Sequence, residues 1–108
     1  MAGIFRYHPS YHKYLHMKQD IRYLVQAKNI GPAVAKKLNS IGIYTLPDLA
    51  VRTPAKAYRE LIAKFPGTTL PVSSYLFALQ GALMNVDWHR LPKRLQKELL
   101  DKVNKHSE

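Results

Sequence analysis

Apolar residues recur three and four positions apart through most of the chain, the spacing of one face of an α-helix. From about Tyr11 onward, Tyr14, Leu15, Met17, Ile21, Leu24 and Val25 predict a first helix ending near Ala27. A turn at Asn29 to Gly31 follows. Pro32 then stands where a first helical turn tolerates a missing N–H, and Val34, Ala35, Leu38 and Ile41 make one apolar face until Gly42 stops the helix. Thr45 and Asp48 have the spacing of a capping box, with Asp in place of Glu or Gln, which opens a short helix over Leu46 to Val51. Thr53 before Pro54 repeats the start signal, and Ala57, Tyr58, Leu61, Ile62 and Phe65 supply the buried stripe of the next helix. The stretch "FPGTTLP" ends that helix and makes the longest loop.

From Pro71 to Asn85, Val72, Tyr75, Leu76, Leu79, Leu83 and Val86 recur at helical intervals, and Ala78, Gly81 and Ala82 offer small surfaces that another helix can approach closely. Trp88, expected as a core plug, and Leu91 fall in the next connection. Pro92 begins a last amphipathic helix with Leu95, Leu99, Leu100 and Val103 inward and Lys93, Arg94, Lys97 and Lys102 outward. No alternation of strand type survives, so the expected fold is all-α, a compact bundle of about five to six short helices. Residues 1–19 read as a lead-in segment or an extension of the first helix, and residues 20–106 as the helical domain.

Length and charge narrow the picture. A chain of 108 residues suffices for one modest core and is too short for a core plus a large catalytic cleft. It has no cysteine, which excludes disulfides, zinc-cysteine sites and thiol catalysis, and no apolar run approaches the roughly 20 residues of a membrane span. Arg6, His8, His12 and Lys13 interrupt any secretory h-region, so a cytoplasmic address is expected. The 17 Lys and Arg against 7 Asp and Glu leave a net charge of +10, a field that attracts polyanions. Spread along the chain, these lysines also fit a merely soluble basic surface.

The stretch "AKNIGPAVAKKL", residues 27–38, gives that charge a place to act. A helix, a hydrophobic-Gly-Pro turn and a second helix form the pattern of a helix-hairpin-helix motif, whose usual core is Gly-hydrophobic-Gly with an alanine four residues on. Asn29, Ile30, Gly31 and Ala35 fill those positions. Gly31 allows a ligand close to the backbone, free N–H groups near Ala33 and Val34 can bind a phosphate oxygen, and Lys28, Lys36 and Lys37 add charge. Such contacts hold a duplex by its backbone without reading its sequence. Asn29 replaces the first glycine; Asn is the residue with a side chain that best tolerates a left-handed backbone, so the turn still forms. The candidate phosphate-binding residues are therefore Lys28, Asn29, Gly31, Ala33, Lys36 and Lys37. The competing reading is a plain helix-helix connector, with Ile30 in the core and Gly31 solving a backbone problem.

The stretches "IGPAVAKKLNSIGIYTLPDL", "AYREL", "YLFALQGALMNVDWHRLP" and "RLQKELL", in this order and spacing, resemble the C-terminal domain of the TfoX/Sxy family of bacterial competence regulators over about residues 24–103. Gly31, Gly42, Ile43, Thr45, Asp48, Leu49, Ala57, Tyr58, Leu76, Ala78, Leu79, Gly81, Ala82, Trp88, Leu91 and Leu99 carry the likeness. The resemblance implies a helical domain with a helix-hairpin-helix-like core. It also implies a role in switching on DNA-uptake genes, as a co-activator working with the cyclic-AMP receptor protein at promoters, where RNA polymerase is a further candidate partner. Full-length members carry an α/β domain ahead of this one, for which residues 1–23 are too few. Most matched positions are apolar or turn residues, which testify to fold, and the family supplies no catalytic residue.

Other constellations carry less. His8, His12 and His16 share a helical spacing, but Asp20 is the one carboxylate near them, so no metal site is expected. Tyr7, Tyr11 and Tyr14 fit packing on a helix better than stacking on bases. No Ser-His-Asp spacing or activated nucleophile is present, so neither catalysis, a cofactor nor a small-molecule substrate is expected. The expectation is a non-catalytic binding domain in the regulation of DNA uptake, contacting the DNA backbone, a transcription-factor partner or both. The alternatives are a protein-interaction module without DNA contact and, more distantly, a DNA-repair accessory.

Overall fold

The computed structural model describes residues 21–107. The His and Tyr series at residues 7–16, the lead-in segment and the start of the first helix lie outside the described residues. Six helices follow in order: α1 Arg22–Val25, α2 Pro32–Ser40, α3 Leu46–Arg52, α4 Pro54–Lys64, α5 Ala78–Met84 and α6 Lys93–Ser107. A π-helical turn, Ser73–Phe77, leads into α5, and a 3-10 turn, Trp88–Arg90, leads out of it. No strand occurs among the described residues, so the chain is all-α as its periodicity predicts.

Local chemistry sets most of the helix ends. The Thr45 hydroxyl accepts from the Asp48 N–H at 3.3 Å, and the Asp48 carboxylate accepts from the Tyr44 and Thr45 N–H groups at 2.9 and 3.1 Å, completing the expected capping box. At the end of α2, Gly42 takes φ +89 while its N–H reaches the Asn39 carbonyl and the Ile43 N–H reaches the Leu38 carbonyl. This is a Schellman ending, and its two apolar flanks, Leu38 and Ile43, are fully buried. Asn85 repeats the device after α5 with φ 59: its own N–H bonds to Ala82 and that of Val86 to Gly81.

The core takes at least one side chain from every helix. Leu24, Leu38, Leu49, Leu61 and Leu79 are fully enclosed, with Ile43 from the α2–α3 connection and Leu76 from the π turn, and Leu91 and Leu99 seal the side formed by α6. Each such leucine removes a whole aliphatic side chain from water, worth roughly 1.5–3 kcal/mol. α5 and its π turn run through the middle: α5 packs on α3, the π turn packs on α4 and α6, and α6 lies along α4. Two expected inward residues lie further out than their stripes suggest. Ile62 and Leu100 are 42% and 37% exposed, because the neighbouring helices cover only a narrow strip of α4 and α6. Trp88 is half-buried rather than enclosed. Its ring lies between Phe77, 6.4 Å away between centroids, and His89, stacked on it at 3.9 Å.

Candidate functional site

The α1–α2 hairpin is built around two residues with different backbones. Asn29 has φ 73, the left-handed conformation that the first glycine of the motif would supply. Its carboxamide turns inward: Nδ2 donates to the Val86 carbonyl at 2.9 Å and, at 3.4 Å, to that of Ala78, while Oδ1 accepts from the Trp88 N–H at 3.2 Å. The side chain thus pins the hairpin to the end of α5 and leaves no polar atom facing out for a ligand. Gly31, by contrast, has φ −93 and ψ −179, a conformation open to any residue, and a Cβ there would meet nothing within 4 Å. Neither backbone strain nor internal packing accounts for a glycine at this position.

No side chain caps α2. Pro32 has no N–H, and the first intrahelical bond with Gly31 runs from the Ala35 N–H to its carbonyl at 3.0 Å, so the N–H groups of Ala33 and Val34 emerge with no acceptor in the helix. Thr45 and Thr53, in contrast, cap α3 and α4 with their hydroxyls. An uncapped start of this kind carries the positive end of the helix dipole and aims donors at solvent.

Ala33, Lys36 and Lys37 line one open groove of about 450 Å³ together with Phe65. The Lys37 ammonium lies 5.4 Å from the centre of the Phe65 ring, within cation–π range, which holds the long side chain against the groove wall. Phe65, half-buried just after α4, packs against the core as its place in the apolar stripe predicts and also reaches the groove. Its position just before Pro66-Gly67, where the helix runs out and its neighbours thin, was the available hint.

Lys28 stands apart from that groove. It is exposed and close enough to Asp87 to help hold that carboxyl below the ordinary carboxylate range. The larger causes of the lowering are the hydrogen bonds that Asp87 accepts, first from the His89 backbone N–H at 2.9 Å and then at the His89 ring. Of the six candidate residues, then, three share the groove, Gly31 stands at the helix start beside it, Asn29 is committed to the fold, and Lys28 faces an acid. Among the described residues no three His, Asp or Glu side chains cluster as a metal would require, and no helix is long and apolar enough to cross a membrane.

No curated protein and no solved structure matches the chain. A family model does: that of the TfoX C-terminal domain matches residues 17–103, which include the hairpin, the groove and every helix core. The chain belongs to the TfoX C-terminal domain family.

Proposed function

We propose that the domain is a non-catalytic DNA-binding element in the regulation of DNA uptake, and that its hairpin groove grips a duplex by its phosphates. The observation that carries the reading is Gly31. A glycine that neither φ nor packing demands, at the mouth of an uncapped helix, leaves room for a phosphate oxygen to reach the Ala33 and Val34 N–H groups. Lys36 and Lys37 then supply charge from the groove, and the edge of Phe65 offers an apolar contact for a sugar. Membership of the family supports a place in transcription of DNA-uptake genes. In this reading a second surface of the domain meets a protein partner at the promoter, with the cyclic-AMP receptor protein or RNA polymerase as the candidates.

Gly31→Val tests the reading. Valine adopts the observed backbone readily, so the domain stays folded, while its side chain occupies the approach to the two N–H groups. Affinity for a random-sequence duplex is expected to fall about tenfold, the cost of one charge-assisted hydrogen bond. Unchanged affinity in a folded Gly31→Val protein would take the two N–H groups out of the contact, and no duplex binding by the parent protein would favour the protein-interaction reading.

A further inference from the structure

A second concavity, of about 560 Å³, opens where the α3–α4 junction faces α6. Its polar lining is Arg52, Thr53, Lys56, Arg59, Gln80 and Lys102, drawn from four helices and the junction between two of them, and no acid lines it. Arg52 is tied to Glu60 by an ion pair, which holds its guanidinium in the wall. Lys56, Arg59 and Lys102 have no carboxylate partner among the described residues. Three unmatched cations converging on one cleft repel each other, and a cleft lined by one sign of charge concentrates the field within it. Two neutral groups stand among them: the Thr53 hydroxyl, whose oxygen accepts from the Lys56 N–H and whose proton remains free to donate, and the Gln80 carboxamide.

We infer that this cleft is a second phosphate-binding site, independent of the hairpin groove, which takes a phosphate-bearing anion from a nucleic-acid backbone or a free polyphosphate. The two sites lie toward opposite ends of α4, whose 11 residues span about 16 Å. Lys56 starts in the first turn and Arg59 at the middle of the helix, whereas Phe65 follows its C-terminal end. A carboxylate ligand would satisfy the charge but would use fewer of the donors. The crowding of guanidinium, ammonium, hydroxyl and amide donors suits the anionic oxygens of phosphate groups, two on each backbone diester and three on a terminal phosphate.

The test is an amide-resolved NMR titration of the whole chain with inorganic pyrophosphate, repeated with a short random duplex. Pyrophosphate is expected to shift the amides of Thr53, Lys56, Arg59 and Lys102 together and saturably. Lys56→Gln with Arg59→Gln should weaken that binding at least about tenfold. Both positions reach solvent, so the double variant should keep its thermal midpoint, which a parallel melt checks. Lys36→Gln with Lys37→Gln should leave the pyrophosphate response at this cleft intact, so failure at the hairpin and failure here are read separately. If the duplex shifts the same amides, the natural anion is a nucleic-acid backbone; if pyrophosphate alone does, it is a free phosphate compound. Shifts scattered over all surface lysines, or a response indifferent to the Lys56 and Arg59 changes, would overturn the inference.

Discussion

The carboxamide of Asn29 occupies the space above Gly81: a Cβ on Gly81 would lie 2.5 Å from Asn29 Nδ2 and 2.7 Å from the Val86 carbonyl oxygen. The hairpin and the central helix therefore interlock through an absent side chain on one and a donor on the other. Gly81→Ala should destabilise the domain by about 2–4 kcal/mol, since a backbone carbonyl cannot step aside as a flexible side-chain end could. A chemical denaturation midpoint measures this directly.

Asn29→Gly restores the first glycine of the hairpin motif and tests what Asn29 is for. If its role were only to adopt φ 73, glycine would serve as well or better. The expected result is a loss of about 1–2 kcal/mol, because the Val86 carbonyl and Trp88 N–H lose their partner. Combined with Gly81→Ala, the losses should be less than additive, since the glycine at position 29 removes one of the two clashes.

Thr53 is a β-branched residue at φ 78 and ψ 146, a region that side chains with a Cβ rarely enter, while it both ends α3 and caps α4. Relief of such strain is worth about 1–3 kcal/mol, against the cost of a more flexible unfolded chain and a weakened cap. Thr53→Gly should therefore raise stability modestly, by about 0.5–1 kcal/mol, as read from the thermal midpoint.

Much of this architecture could be read from local spacing. Thr45 and Asp48 form their box within one helical turn, Gly42 ends α2 within two residues of its last turn, and Pro32 starts it. What escaped the sequence depends on distant partners. The side-chain bonds of Asn29 reach residues 49 to 59 positions away, so its left-handed backbone was legible but its clamp was not. The π turn was also hidden: the Phe77 N–H reaches back to Val72, yet apolar residues three and four apart look the same in either helix. At the candidate site, Lys36 and Lys37 were visible as a charged helix start, and Phe65 became part of it only through the packing of α4 on α2.

Tyr58 links α4 to the loop before the π turn: its buried hydroxyl donates to the Leu70 carbonyl at 2.8 Å, and burial raises its pKa. A raised folded pKa contributes stability that is complete below the ordinary phenol range near pH ~10 and is lost as pH rises through the shifted value. Tyr58→Phe should cost about 1–2 kcal/mol at neutral pH and flatten the alkaline decline, as urea midpoints across pH 8–11.5 would record.

Asp87 shows the opposite sign. Hydrogen bonds from His89 hold its carboxyl below the ordinary range, so its contribution is complete above about pH 4 and fades as pH falls through the lowered value. Trp88, the sole tryptophan, stacks on His89, so its fluorescence reports the release of that ring. The parent protein is expected to show an acid step in a fluorescence titration, and Asp87→Asn should abolish it.

The central claim is that the hairpin groove holds DNA by its phosphates, and its most direct measurement is the salt dependence of binding. Fluorescence anisotropy of a labelled random-sequence duplex, titrated at two salt concentrations with the parent protein and with Lys36→Ala plus Lys37→Ala, reads this at once. The account predicts binding that weakens steeply with salt, and a variant weaker on every sequence whose log–log salt slope is shallower by about 1 per lost contact. Equal slopes for parent and variant, or no binding at low salt, would contradict it.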